Sequence, residues 1–102
     1  MGETPLMTTQ SEEIFTVNLT ISGKVQRVGF RYFVLRHAQE LGINGWVSNK
    51  PNGDVEAFAQ GEKADLERFI AKVKQGPSFS RVDDVNLNWV NEGEQYFGFE
   101  II

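Results

Sequence analysis

The spacing of hydrophobic residues changes repeatedly along the chain, from every second position to every third or fourth and back again. Alternation of apolar and polar residues is the pattern of a half-buried β-strand. It occurs in five stretches, which are residues 14–23, 45–49, 54–60, 81–90 and 96–102. Pro51, Asn52 and Gly53 separate the second stretch from the third and favour a tight turn, because asparagine and glycine tolerate a positive φ. The sequence therefore predicts five strands, of which the second and third form a hairpin.

Two other stretches carry apolar residues three and four positions apart, as the buried face of an α-helix does. The first contains Phe30, Phe33, Val34, Ala38 and Leu41, and the second contains Leu66, Phe69, Ile70 and Val73. Gly42 and Gly76 follow these stretches and predict where each helix ends. The order strand, helix, strand, strand, helix, strand, with one further strand at the end, predicts an α+β, ferredoxin-like sandwich. We expect an antiparallel sheet with both helices packed on one face.

Length and composition limit both the size of the protein and its chemistry. A chain of 102 residues suits one domain. Residues 1–13 are polar and without periodicity, so we expect a flexible leader followed by a single domain over residues 14–102. The leader has no apolar run, which argues against a signal peptide or membrane anchor and predicts a cytoplasmic protein. With no Cys and one His, the sequence excludes thiol nucleophiles and Cys-ligated metals.

The chain is acidic overall, but its basic residues are unevenly placed. The formal net charge of −4 argues against general binding of nucleic acid or anionic membranes. Five of the ten basic residues lie within residues 14–50, together with only one of the fourteen acidic residues. This distribution favours an anion site in the first half of the chain, although chance clustering on a solvated helix face would give the same counts.

The loop between the first strand and the first helix, from Gly23 to Gly29, has the features of an anion site. Backbone N–H groups in such a loop, beside the unpaired donors of a helix N-terminus, can surround a phosphate or carboxylate. The two glycines allow sharp turns, and Arg31 in the first helical turn can add a two-pronged grip. A plain connection with a solvent-facing arginine is the alternative. Neither a Walker A loop nor a dinucleotide-binding glycine pattern is present.

Two motifs in the chain carry a resemblance to a known family. Residues 23–31 read Gly-Lys-Val-Gln-Arg-Val-Gly-Phe-Arg, and residues 45–49 read Gly-Trp-Val-Ser-Asn. They resemble the G-x-V-Q-G-V-x-F-R and G-W-V-x-N motifs of the acylphosphatase family, and the resemblance covers essentially all of the chain after the leader. It implies a ferredoxin-like fold and a hydrolase of carboxyl-phosphate mixed anhydrides that uses no metal and no cofactor.

The same resemblance implies which residues form the site. Arg31 matches the family's phosphate-binding arginine, and Asn49 matches the asparagine that orients the attacking water. The implied phosphate-binding loop comprises Gly23, Lys24, Val25, Gln26, Arg27, Val28 and Gly29. The implied ligands are small acyl phosphates, with inorganic phosphate as product and competitive ligand. We expect a monomer that binds neither nucleic acid nor membrane.

Arg27 departs from the family pattern, because it stands where the family usually has glycine. A positive φ at this position would strain the backbone by roughly 1 kcal/mol or more and could displace the loop. An ordinary φ would leave the loop unstrained, and we expect the side chain to point outward or to line the rim. Two alternatives to an acylphosphatase stay open. One is a catalytically weak anion-binding or regulatory domain of the same fold, and the other is a module detached from a larger carbamoyl-transferring enzyme.

Overall fold

The computed structural model describes residues 13–91 and 94–102, which form five strands and two helices. The strands are β1 (Phe15–Lys24), β2 (Asn44–Asn49), β3 (Val55–Gly61), β4 (Arg81–Val90) and β5 (Phe99–Ile101). The helices are α1 (Phe30–Glu40) and α2 (Lys63–Gln75). The elements follow the predicted order, and the ferredoxin-like α+β arrangement is confirmed. Apart from Glu13, the predicted leader lies outside the described residues.

The strands form one sheet in the order β4-β1-β3-β2-β5. Val17, Leu19 and Ile21 of β1, which lies between β4 and β3, are completely buried, whereas the residues between them lie on the opposite face. The same buried cluster includes Phe30, Val34 and Ala38 of α1 and Leu66, Phe69, Ile70 and Val73 of α2. Both helices therefore cover one face of the sheet, as predicted. We call this the helix face and the other the open face.

The last strand differs from the sequence prediction in length and in direction. Alternation predicts a strand over residues 96–102 in an antiparallel sheet, but β5 spans only Phe99–Ile101 and runs parallel to β2. The antiparallel expectation holds for the pairs β1–β3, β1–β4 and β2–β3. The register places the end of β4 and the start of β2 at the same end of the sheet. The chain leaves β4 at that end, so β5 enters beside β2 and runs in the same direction.

Side chains, rather than a neighbouring strand, take the backbone donors that precede β5. The Tyr96 N–H donates to Gln60 Oε1 at 2.9 Å, and the Gly98 N–H donates to Asn44 Oδ1 at 2.9 Å. These bonds satisfy the N–H groups of Tyr96 and Gly98, whereas the Gly98 carbonyl oxygen accepts from the Gly45 N–H of β2 at 2.9 Å, and the ladder with β2 begins at Phe99. The shorter strand therefore results from contacts that alternation along the sequence cannot show.

One end of the sheet brings together the segments that carry the two family motifs. Val55 of β3 pairs with Ile21 of β1 on one side and with Asn49 of β2 on the other. The loop that follows β1 and leads into α1 therefore leaves the sheet close to the last residue of β2.

Neither described helix is long and apolar enough to cross a membrane.

Candidate active site

The loop over residues 23–29, which we call the cradle, begins and ends at glycines that the backbone requires. Gly23 has a φ of 127°, and a bulge shifts the register of β1 against β4 at this point. A Cβ atom on Gly23 would collide with the carbonyl oxygen of Arg81. Gly29 has a left-handed φ of 77° and forms the N-cap of α1. The two glycines thus let the chain leave β1, turn, and enter the helix within a few residues.

Arg27 lies between these glycines in the left-handed conformation that glycine favours. Its φ is 66°, and it is the one residue other than glycine with a positive φ among the described residues. The sequence left an ordinary φ open as an alternative for Arg27, and that alternative is wrong. The side chain is exposed, in agreement with the outward or rim-lining position expected from the sequence. The arginine thus strains the cradle backbone while leaving the turn of the chain in place.

The other cradle residues contribute either backbone alone or backbone and charge. Val25 is only 1% exposed, and Val28 packs against the core, so their side chains anchor the cradle to the fold. Lys24, the last residue of β1, is exposed. Of the predicted loop, Val25 and Val28 can therefore offer an anion only their backbone N–H groups.

The N-terminus of α1 has no neutralising groups. Gly29 provides no side-chain cap, and the first turn contains no acidic residue. The N–H groups of this turn and the positive end of the helix dipole therefore have no side-chain acceptor to offset them. Arg31 adds a positive charge to the same turn, is half-buried, and forms no ion pair with any other described residue. A positive side chain beside the positive end of the helix dipole is unfavourable, whereas a bound anion would offset both the dipole and the Arg31 charge.

Asn49 has a polar atom that lacks a partner at the same end of the sheet. It closes β2 opposite Val55 and faces the helix side, in step with the buried Val47. Its Oδ1 atom is buried and accepts no hydrogen bond from the described residues. Leaving such an acceptor unsatisfied typically costs about 1–3 kcal/mol, and most buried polar atoms have partners. An acceptor of this kind is suited to a hydrogen bond from a bound water molecule or ligand.

Gln26 connects the cradle with the β2–β3 hairpin. Its Nε2 group donates to the carbonyl oxygens of Lys50 and Asp54, with both distances 2.8 Å. Lys50 directly follows Asn49, so these bonds fix the cradle beside the residue that the family motif assigns to water. The structure thereby brings together the predicted loop, the first turn of α1 and the end of β2.

Arg81 also lies at this end of the sheet, but its charge is paired. It stands opposite Lys24 in the ladder, and its Nε and Nη2 groups donate to the Asp83 carboxylate at 2.9 and 3.2 Å. These hydrogen bonds raise the pKa of Arg81 and lower the pKa of Asp83 from their ordinary values.

Over residues 13–91 and 94–102, no three His, Cys, Asp or Glu side chains are grouped as ligands of a metal ion would be.

Comparison with known proteins identifies the family. The family model for acylphosphatase matches residues 17–101, which is most of the chain and extends over all or most of every strand and helix. The chain belongs to the acylphosphatase family. An acylphosphatase from Lactobacillus gasseri is 46% identical over 88 residues, covering 85% of this chain and 97% of that protein. One from Archaeoglobus fulgidus is 43% identical over 88 residues, covering 86% and 98%.

Solved structures agree with this family membership. The crystal structure of acylphosphatase from Bacillus subtilis superposes with a TM-score of 0.84 at 36% identity, covering 86% of this chain and 98% of that chain. Full-length HypF in its phosphate- and nucleotide-bound form has a TM-score of 0.80 at 33% identity, but only 12% of its chain is covered. The acylphosphatase fold thus occurs both in small proteins of this size and as a minor part of a much larger one.

Two features of the candidate site could not be predicted from the sequence. The motif placed Gln26 in the loop, but its acceptors lie 24 and 28 positions further along the chain, and no local spacing predicts them. The sequence also could not predict that Asn49 Oδ1 lacks a hydrogen-bond donor, because this depends on which described residues lie beside it in the folded chain. The second motif was the signal that identified Asn49 itself as a candidate.

Proposed function

We propose that the protein is an acylphosphatase that hydrolyses the carboxyl-phosphate anhydride bond of small acyl phosphates. The products are a carboxylate and inorganic phosphate. Membership of the family supports this reaction. The structural observation that supports it most is the unpartnered, buried Oδ1 of Asn49 at the end of the sheet where the cradle lies. Such an oxygen can accept a hydrogen bond from the water molecule that the reaction consumes.

The cradle and Arg31 bind the phosphoryl group in this proposal. Backbone N–H groups of residues 23–29 and of the first turn of α1 donate to its oxygens, and the Arg31 guanidinium donates two further hydrogen bonds. The uncapped helix terminus and the unpaired arginine are favourable for an anion and unfavourable without one. Because these donors are held by the fold, they stabilise the charge of the transition state without reorganising.

Asn49 orients the nucleophile. A water molecule donates a hydrogen bond to Asn49 Oδ1 and directs its oxygen lone pair at phosphorus. The new oxygen–phosphorus bond forms as the bond between phosphorus and the acyl oxygen breaks, and the carboxylate leaves with that electron pair. A phosphate oxygen of the substrate accepts the proton of the water, as the family resemblance implies. Since a carboxylate is a good leaving group, positioning and charge stabilisation suffice without a strong protein base.

A catalytically weak anion-binding domain is not favoured by these observations. That alternative required Arg27 to impair the cradle, whereas the left-handed φ of 66° preserves the turn that glycine would make. Family membership points to the enzyme as well.

We further propose that the enzyme needs no metal, is monomeric and acts in the cytoplasm. Chelation, light scattering and cell fractionation test these three points.

Loss of benzoyl phosphate absorbance in the presence of EDTA tests the proposed function. We expect the wild-type protein to hydrolyse benzoyl phosphate and inorganic phosphate to inhibit competitively. Asn49→Ala should lower kcat by roughly 10²- to 10³-fold, because it removes one preorganised group from the transition state. Asn88→Ala is the matched control, since Asn88 is an exposed asparagine on β4. It should keep wild-type kinetics.

The outcomes separate the proposed function from its alternative. Near-normal turnover by a folded Asn49→Ala variant would remove the role assigned to Asn49. Hydrolysis by the wild type no faster than in buffer, together with phosphate binding, would replace the enzyme with an anion-binding domain. Loss of activity on adding EDTA would contradict the metal-free mechanism.

A further inference from the structure

The two carbonyl groups at the base of the β2–β3 hairpin are bonded from two directions. Within the hairpin, the Lys50 N–H donates to the Asp54 carbonyl oxygen at 2.8 Å, and the Gly53 N–H donates to the Lys50 carbonyl oxygen at 3.1 Å. From outside, Gln26 Nε2 donates to both of these oxygens at 2.8 Å. Each oxygen therefore uses both of its lone pairs. The base of the hairpin is held by one side chain of the cradle.

The position of Gln26 in the cradle makes this link rigid on the cradle side as well. It lies between Val25, which is 1% exposed, and Arg27, whose backbone is left-handed. Both hydrogens of its amide group are used, so the side chain cannot rotate without breaking the two bonds together. A displacement of the cradle relative to the hairpin would therefore break two hydrogen bonds at once.

The hairpin is also held from the open face of the sheet. Lys50 Nζ lies 3.3 Å from Glu56 Oε1, and Asn18 Nδ2 donates to Glu56 Oε2 at 3.0 Å. The backbone of Lys50 is thus tied to the cradle, and its side chain is tied through β3 to β1. The residue that follows Asn49 along the chain is fixed on both sides of the sheet. Asn49 itself is held by its backbone pairing with Val55, whereas its side-chain oxygen has no partner among the described residues.

We propose that Gln26 is a positioning residue that sets the place of Asn49 relative to the cradle. This inference rests on the proposed function, because it assigns Gln26 a part in the same reaction. The cradle and Arg31 bind the phosphoryl group, Asn49 orients the water, and the Gln26 bonds set the distance and angle between these two parts. Gln26 acts through Asn49 and does not contact the reacting atoms. Its loss should therefore affect turnover more than phosphate affinity.

Steady-state kinetics of Gln26→Glu and Gln26→Met test this role. Glutamate keeps the shape but directs an oxygen at two carbonyl oxygens, and methionine keeps the length without a donor. We expect kcat for benzoyl phosphate to fall about 10- to 100-fold, since a misplacement of about 1 Å can cost 10²-fold. The inhibition constant of inorganic phosphate should change less than about threefold, because the loss falls on turnover and not on phosphate binding. Gln39→Glu, an exposed glutamine at the far end of α1, is the matched control and should behave as wild type.

A double-mutant cycle distinguishes positioning from general disruption of the loop. If Gln26 acts through Asn49, Gln26→Met should lower kcat strongly in the wild type and hardly at all in the Asn49→Ala background. Additive losses would overturn the inference, as would equal losses of kcat and phosphate affinity. Circular dichroism shows whether each variant is folded. If Gln26→Glu fails to fold, the cycle with Gln26→Met still decides.

Amide NMR spectra keep this inference separate from the proposed function. Inorganic phosphate should shift the amide signal of Gly53 in the wild type, and Gln26→Met should abolish that shift while the signals of the cradle still respond. If the wild type binds phosphate but does not hydrolyse benzoyl phosphate, the proposed function fails while this coupling remains. If the hairpin signals respond equally in the variant, the link through Gln26 fails whatever the activity.

Discussion

Arg27 occupies a backbone conformation that costs a residue with a Cβ atom about 1–2 kcal/mol. Replacing it with glycine removes that strain and adds about 0.5–1 kcal/mol of unfolded-state entropy to be lost on folding. We expect Arg27→Gly to raise the free energy of unfolding by about 0.75 kcal/mol, the difference between the midpoints of these two ranges. Urea denaturation at neutral pH measures it.

The control for this residue is Arg27→Ala, which removes the exposed guanidinium but keeps a Cβ atom in the left-handed conformation. It should not stabilise the protein. Equal stabilisation by alanine and glycine would show that the side-chain charge, and not the backbone, determines the effect. Residue identity alone could not decide between strain and an ordinary φ here, because both are compatible with the same sequence.

At the scale of elements, hydrophobic spacing predicted every helix and strand because each buries one face. β1 shows this alternation from Val17 to Ser22, and α2 buries Leu66, Phe69, Ile70 and Val73. The prediction was wrong for the start and direction of β5, where side chains of Gln60 and Asn44 take the backbone donors. Those partners lie more than thirty positions away, so only the folded chain shows them. The same holds for the candidate site. The motifs predicted its residues, whereas the hydrogen bonds between its segments are tertiary contacts that only the folded chain shows.

The uncapped N-terminus of α1 leads to a prediction about its charge. Tyr32 lies in the first turn and is 72% exposed, so its replacement should not disturb the core. Tyr32→Glu places a negative charge in the helical turn whose N–H groups bind the proposed phosphate, where the helix dipole favours a negative charge. We expect the inhibition constant of inorganic phosphate to rise about two- to fivefold at low salt, and less at high salt.

Neutral Tyr32→Gln is the control for this substitution, because it removes the same aromatic ring without adding charge. Its inhibition constant should stay close to that of the wild type. If glutamate and glutamine weaken phosphate binding equally at every salt concentration, the aromatic ring contributes to binding and the charge of the helix terminus does not.

At the scale of the whole molecule, the proposed phosphate site depends on segments far apart in the chain. The cradle, α1 and the β2–β3 hairpin meet only when the sheet is formed, and Gln26 spans 28 positions to reach Asp54. The unfolded chain therefore has no such site, and phosphate should bind the folded state alone. Binding of this kind stabilises the entire fold, since it shifts the folding equilibrium by mass action.

Thermal unfolding with added phosphate tests this linkage. At a free phosphate concentration 100 times Kd, the stabilisation should be about 2.7 kcal/mol. For a domain of this size, that corresponds to a rise in Tm of about 10–20 °C, at about 4–8 °C per kcal/mol. Arg31→Ala should lose most of the rise, whereas Arg36→Ala, which replaces an exposed arginine five residues further along α1, should keep it. An equal rise in the Arg31→Ala variant, or in sodium chloride of the same ionic strength, would mean that phosphate stabilises the protein without occupying the cradle.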